Sequence, residues 1–178
     1  MDSNNPELGS NAHRFNMPGV DGNKYTLESF AEKEILIIIF SCNHCPYVKA
    51  YEDRIIKIQS DYRDKVQIIA VNSNDAIKYP EDSFENMKIR SAEKGFNFLY
   101  LHDEDQSIAR TYGATHTPEI FVYDKERKLA YHGKIDDNWK EPEKATEHYL
   151  LNAVDELIKG VPVSVPETFS IGCTIKWK

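Results

Sequence analysis

The sequence predicts an α/β fold, and three observations carry that prediction. Ile35-Leu36-Ile37-Ile38-Ile39-Phe40 is the most apolar run in the chain, too short for a helix and suited to a strand buried on both faces. A pattern of helical period follows, through Val48, Tyr51, Ile55, Ile56 and Ile58. Val66–Val71 then reads as a second buried strand, which completes a strand–helix–strand unit whose connection should be right-handed.

Length and composition bound the rest. The 178 residues suit one domain with a sizeable core. Hydrophobic residues make up 40%, and the net charge is −7 with both signs interspersed, which argues for a soluble globular protein and against nonspecific nucleic-acid binding. The longest apolar stretch is far below the roughly 18 residues of a membrane span. Met1 to Phe15 lacks the apolar region of a signal peptide, so the expected location is cytoplasmic. In that setting three cysteines fit reduced thiols with a catalytic pair better than a disulfide framework.

In chain order, residues 1–13 read as a loose tail, 14–160 as the domain, and 161–178 as an extended tail docked on it. Pro18-Gly19 and Asp21-Gly22 lie between apolar residues and predict a hairpin over Phe15–Leu27. A brief helix over Leu27–Ala31 precedes the first long strand, and the helix after the cysteines should run to about Tyr62. The polar segment Asn72–Ser83 follows the second strand and should border the cysteine site, because loops at the carboxyl ends of parallel strands carry binding residues. Either Asp82 or Ser83 would cap the next helix, Phe84–Lys94. Phe96–Leu101 reads as a strand and Gln106–Tyr112 as a helix closed by Gly113. Ile120–Tyr123 and Leu129–His132 form a hairpin around Asp124–Lys128. Lys144–Lys159 is an amphipathic helix with Ala145, Tyr149, Leu150, Ala153, Val154, Leu157 and Ile158 inward, stopped by Gly160.

Cys42-Asn43-His44-Cys45-Pro46 carries the chemistry. Two residues between cysteines, wound in a first helical turn, bring the Cβ atoms to the roughly 3.5–4.5 Å that a disulfide requires. With Cys42 at the helix N-terminus, the free N–H groups and the helix dipole favour a thiolate. In such sites thiol pKa values fall to about 3.5–7. Cys42 should then be exposed and Cys45 more buried. His44 adds positive charge or a hydrogen bond, Asn43 or Ser41 caps, and Pro46 suits a first turn. A lone C-x-x-C is only half a zinc site, and Cys173 with His13, His102, His116, His132 and His148 shows no ligand spacing, so no metal and no other cofactor is expected. Pro118, opening a strand, reads either as an edge feature or as a cis-proline facing the cysteines.

The chain resembles the thioredoxin-like superfamily, near its redoxin and peroxiredoxin-like branch of thiol-disulfide oxidoreductases. The resemblance covers about residues 14–160. It rests on Cys42-Asn43-His44-Cys45-Pro46-Tyr47-Val48, on Tyr79-Pro80-Glu81-Asp82-Ser83, on Gly113-Ala114 leading to Thr117-Pro118-Glu119, and on the ending Gly172-Cys173-Thr174-Ile175-Lys176-Trp177. It implies a central mixed sheet with helices on both faces. It also implies a cis Thr117–Pro118 bond whose Thr117 backbone pairs with a substrate strand. Thioredoxin carries a buried acid in the strand before the cysteines, where this chain has Ile and Leu, so Glu119 or His44 becomes the candidate proton acceptor. Ile39 stands where a peroxiredoxin needs Thr, which disfavours peroxidase chemistry.

The leading expectation is dithiol–disulfide exchange with a protein or small-molecule disulfide, Cys42 attacking and Cys45 resolving. A thiol peroxidase and a non-enzymatic zinc or partner-binding module are the alternatives. No nucleic-acid or membrane partner is expected, and the oligomeric state is not legible. Cys173 is either a small buried filler in the docked tail, the preferred reading, or a third redox thiol.

Overall fold

The computed structural model describes residues 6–178. Its centre is a mixed five-stranded sheet in the order β5-β4-β3-β7-β8, with β3 at Ile35–Ser41, β4 at Val66–Asn72, β5 at Leu99–His102, β7 at Glu119–Tyr123 and β8 at Leu129–Gly133. The first three run parallel, and β7 runs antiparallel to both β3 and β8. Every residue of β3 is buried, because helices and loops cover both sides of the central strand. Side chains alternate across a strand. Ile35, Ile37 and Ile39 accordingly pack with Tyr51, Ile55, Ile58 and Val154, while Leu36, Ile38 and Phe40 pack with Phe15, Phe30, Ala109 and Tyr112.

The helices are α1 at Pro46–Tyr62, α2 at Phe84–Lys94, α3 at Ser107–Tyr112 and α4 at Tyr149–Ile158. The expected hairpin is present as β1 (Asn16–Pro18) and β2 (Lys24–Thr26). Among the described residues no helix is long and apolar enough to cross a membrane.

Two segments differ from expectation. The last helix starts at Tyr149 rather than Lys144. Ala145 is extended, and Asp137 accepts from the Thr146 N–H and hydroxyl at 2.9 and 2.6 Å, which holds that segment as a loop. The leading segment is tied down from Gly9, whose N–H donates to Leu129 O at 2.8 Å, while Ala12 N–H donates to Arg127 O at 2.8 Å. Residues 1–5 of the expected loose tail lie outside the described residues. The tail after α4 is extended and includes a short strand.

That tail first follows the outer edge of β8. His132 N–H donates to Pro166 O and Thr168 N–H to His132 O, both at 3.0 Å. Gly133 permits the approach, since a Cβ there would stand 2.0 Å from Thr168 Oγ1. Phe169 and Ile171 face solvent, Phe169 at 92% exposure. The chain then turns inward as β9, Cys173–Thr174, antiparallel to β6, His116–Thr117. Ile175 is buried beside Phe40 and Ala114, and the Arg110 guanidinium lies 4.5 Å from the centre of the Trp177 ring.

Candidate active site

The turn 42–45 stands at the carboxyl end of the central strand, where open α/β sheets place ligands. Pro46 occupies the first helical position and Cys45 is the N-cap of α1, so the second cysteine, not the first, sits at the helix N-terminus. A proline at that position leaves the residue before it as the cap, a signal present in the sequence. Neither Asn43 nor Ser41 caps. The Asn43 side chain instead donates to Glu81 O at 2.9 Å and accepts from the Tyr100 hydroxyl at 2.7 Å, which pins the turn to the loop after β4.

That loop supplies the acid missing from β3. Ser83 caps α2, accepting from Asn86 N–H at 3.2 Å, and leaves Asp82 free to point into the site with 0% of its surface exposed. Its carboxylate accepts from Asn43 N–H at 2.7 Å, Asn72 Nδ2 at 3.3 Å and Asn74 Nδ2 at 2.9 Å. His44 Nδ1 stands 2.5 Å from Asp82 Oδ2, and its ring stacks on Tyr79 with the planes 2° apart. His44 thus belongs to an acid–imidazole pair beside the thiols. Glu119, the other candidate proton acceptor, is engaged elsewhere. It takes His132 Nε2 at 2.7 Å and the N–H groups of Thr115 and His116 at 2.7 and 2.9 Å, and so braces the loop before the proline. Burial alone would raise the Glu119 carboxyl, but those three hydrogen bonds outweigh it and hold it below the usual range.

The Thr117–Pro118 bond is cis. Cys42 Sγ lies 3.5 Å from Thr117 Oγ1, and Cys45 Sγ lies 3.3 Å from Thr117 O. Glu119, Thr117, Pro118, His44 and Asn43 therefore all border the pair or the loop that faces it. The Thr117 edge, expected to be open for a substrate strand, is taken by the chain's own Cys173. Cys173 Sγ is 2.9 Å from Cys45 Sγ. Instead of filling a core, the third cysteine joins the other two as a cluster.

Both members of the pair are closed off from solvent. Cys42 is 2% and Cys45 0% exposed, so Cys42 is not the open thiol expected. Hydrogen bonding to Cys45 pushes the Cys42 thiol well up, with burial and the Asp82 charge adding to it. Cys45 is pulled down to about 4 by its hydrogen bond to Cys42, against the penalty of burial, with Cys173 and the Val48 backbone N–H assisting. The thiol with the lowered value is the one at the N-terminus of α1, the end at which the helix dipole favours negative charge. Cys173 is raised to about 11 by burial and by Cys45.

Cys42, His44 and Asp82 bring three donor atoms within 4.8 Å of one another. Sulfur, nitrogen and oxygen donors suit zinc when a fourth is added, and Cys45 is adjacent. Sequence spacing did not reveal this set, because Asp82 arrives from a different loop. Its carboxylate already accepts three N–H groups, which weakens it as a ligand.

Two solved structures resemble the whole chain. An uncharacterized conserved protein from Geobacillus kaustophilus is 40% identical, with 100% of this chain and 96% of that one covered at a TM-score of 0.91. A hypothetical protein from Sinorhizobium meliloti is 38% identical over 98% of this chain and 96% of that one, also at 0.91. The thioredoxin domain of a thiol-disulfide oxidoreductase from Bacteroides vulgatus is 18% identical over 72% of this chain and 89% of that one, at 0.62, a likeness of fold. No curated protein matches. Residues 7–150 match the sequence model of the Redoxin family, and the chain belongs to that family.

Proposed function

We propose that the protein is a thiol-disulfide oxidoreductase whose Cys42–Cys45 pair exchanges with a protein or small-molecule disulfide. The observation that carries this reading is the placement of both sulfurs against the cis Thr117–Pro118 loop, at 3.5 and 3.3 Å from Thr117 atoms. The proton of Cys42 passes along its hydrogen bond to Cys45, which leaves a thiolate on Cys42. That thiolate attacks the substrate disulfide, forming the Cys42–substrate bond as the substrate S–S bond breaks and one thiolate leaves. Cys45 then gives its proton to the Asp82–His44 pair and attacks Cys42 Sγ. The Cys42–Cys45 disulfide forms and the second substrate thiolate departs, so two electrons have moved from the protein pair to the substrate.

Asp82 replaces Glu119 as the proton acceptor in this scheme: with His44 it stands within 4.8 Å of Cys42 Sγ, so the Cys45 proton reaches it along the Cys42 side of the pair, whereas Glu119 is engaged by His132, Thr115 and His116. A zinc site built on Cys42, His44 and Asp82 is the second reading. Reduction of insulin disulfides by a dithiol-recycled sample tests the first. Cys42→Ser should abolish turnover, and Cys45→Ser should accumulate a mixed disulfide at Cys42. Full activity in Cys42→Ser would overturn the assignment, and loss of activity on treatment with a chelator would favour the metal reading.

A further inference from the structure

The last ten residues lie outside the span matched by the family, 7–150, yet they close over the site. Ile175 N–H donates to Thr115 O at 2.9 Å, Lys176 N–H to Asn74 Oδ1 at 2.9 Å, and Asp75 N–H to Lys176 O at 2.8 Å. The Gln106 side chain donates to Lys176 O at 2.9 Å and accepts from Lys178 N–H at 3.0 Å. These bonds and the buried Ile175 anchor the tail without help from Cys173. Strand alternation puts Cys173 and Ile175 on the inward face and leaves Thr174 exposed. Gly172 lets the strand come this close, since a Cβ there would stand 2.0 Å from Thr117 O and 2.7 Å from Thr117 C.

A filler cysteine packs among apolar side chains. Cys173 packs instead in the cluster of Cys42, Cys45, Val48 and Tyr47, with its sulfur 2.9 Å from Cys45 Sγ. Cys45 is therefore the middle sulfur of three. It touches Cys173 on one side and packs with Cys42 in the same cluster on the other. Cys173 is the half-buried member, whereas Cys42 and Cys45 are both closed off.

We propose that Cys173 is a third redox thiol, which takes over the disulfide from Cys42 and carries it to the open side of the cluster. The proposal rests on the dithiol–disulfide reading of the pair. Once Cys42 and Cys45 are joined, the Cys173 thiolate attacks Cys45 Sγ. The Cys45–Cys173 bond forms, the Cys42–Cys45 bond breaks, and the electron pair leaves on Cys42, which takes up the proton Cys173 lost. No external oxidant enters this step, since one disulfide replaces another. Cys42 is regenerated beside Asp82 and His44, and the tail is fixed covalently across the Thr117 edge. A dithiol in solution then reduces the protein by attacking Cys173, the most accessible sulfur.

Disulfide mapping of the full-length protein tests this. The reduced chain is equilibrated with graded ratios of oxidised to reduced glutathione, quenched in acid, alkylated and analysed by mass spectrometry. The expected result is Cys42–Cys45 and Cys45–Cys173 linkages together in the wild type, and Cys45–Cys173 alone in Cys42→Ser. In Gly172→Ala, which keeps all three thiols and lifts the strand, the Cys45–Cys173 fraction should fall at least about 5-fold while Cys42–Cys45 persists, the change that about 1 kcal/mol of strain produces. A wild type that yields Cys42–Cys45 alone, with Cys173 alkylated at every ratio, would overturn the third thiol and leave the dithiol reading intact. Absence of every protein disulfide would overturn both. An unchanged Cys45–Cys173 fraction in Gly172→Ala would also reject the proposal, because the β6–β9 pairing would not be what presents the thiol.

Discussion

Replacing Gly172 by Ala perturbs the cover of the active site at the Thr117 carbonyl while keeping all three thiols. The added Cβ would lie 2.0 Å from a backbone carbonyl oxygen and 2.7 Å from its carbon. Neither atom belongs to a flexible side chain, and Thr117 leads directly into the central-sheet strand β7, so the mobile partner is the tail. Forcing an extra methyl into such a contact costs about 1–3 kcal/mol. That cost falls on the docked tail alone, and it raises the undocked population by about 5- to 150-fold at 1.4 kcal/mol per decade. Cys42 and Cys45 are 2% and 0% exposed, and the tail contacts Cys45 through Cys173, so undocking is the expected route of alkylation at Cys45. The assay is the rate of iodoacetamide labelling of Cys45 in the reduced protein, read by mass spectrometry, with circular dichroism confirming an intact fold. Labelling should accelerate by a factor in that range. A rate equal to that of the wild type, in a folded variant, would mean that the tail does not guard the pair.

Asp82→Asn keeps the shape of the acid and removes its proton affinity. General-base contributions run from about 10² to 10⁴, so disulfide reduction at neutral pH should fall by about 100-fold with mixed disulfide accumulating, and undiminished turnover would dismiss Asp82 as the acceptor. Cys45 held down to about 4 implies that the reduced protein keeps the ultraviolet absorbance of one thiolate as the pH falls from 8 to about 5. Cys45→Ser should lose that signal, and a titration near the ordinary value of about 8.5 would contradict the charge placement. The Glu119 carboxyl is held below its usual range, opposed by burial and favoured by His132, Thr115 and His116. A depressed carboxyl adds stability that is present above its unfolded pKa of about 4.3 and lost as pH falls through the folded value. The melting temperature of Glu119→Gln should therefore approach that of the wild type only in acid below about pH 4, and a constant gap across that range would dissociate Glu119 from the effect.

What the sequence disclosed was local. The run Ile35–Phe40, the helix ending at Tyr62, and the cap of α2 all rest on periodicity or on neighbours within a turn, and the structure places them there. Pro46 marked Cys45 as the cap, although the motif invites attention to Cys42. The parts that stayed hidden depend on residues far apart in the chain. Asp82 reads as a helix cap until Ser83 takes that role and the loop folds over Asn43, 39 positions away. Residues 145–148 keep the apolar–polar pattern of a helix, but hydrogen bonds to Asp137 hold them in a loop. The pairing of Thr117 with Cys173 joins two-residue strands, too short to leave a periodic signal, although Gly172 marked a close backbone approach.

The proposed chemistry requires Cys42 and Cys45 to form one two-electron couple. A redox titration of the Cys173→Ser protein isolates that pair, with the fraction of each thiol read by alkylation and mass across dithiol buffers of known potential. Cys42 and Cys45 should disappear together along a single two-electron curve, with a midpoint between about −270 and −120 mV, the interval from thioredoxin to the strongest C-x-x-C oxidant. Thiols that titrate independently, or that remain reduced throughout that interval, would contradict it.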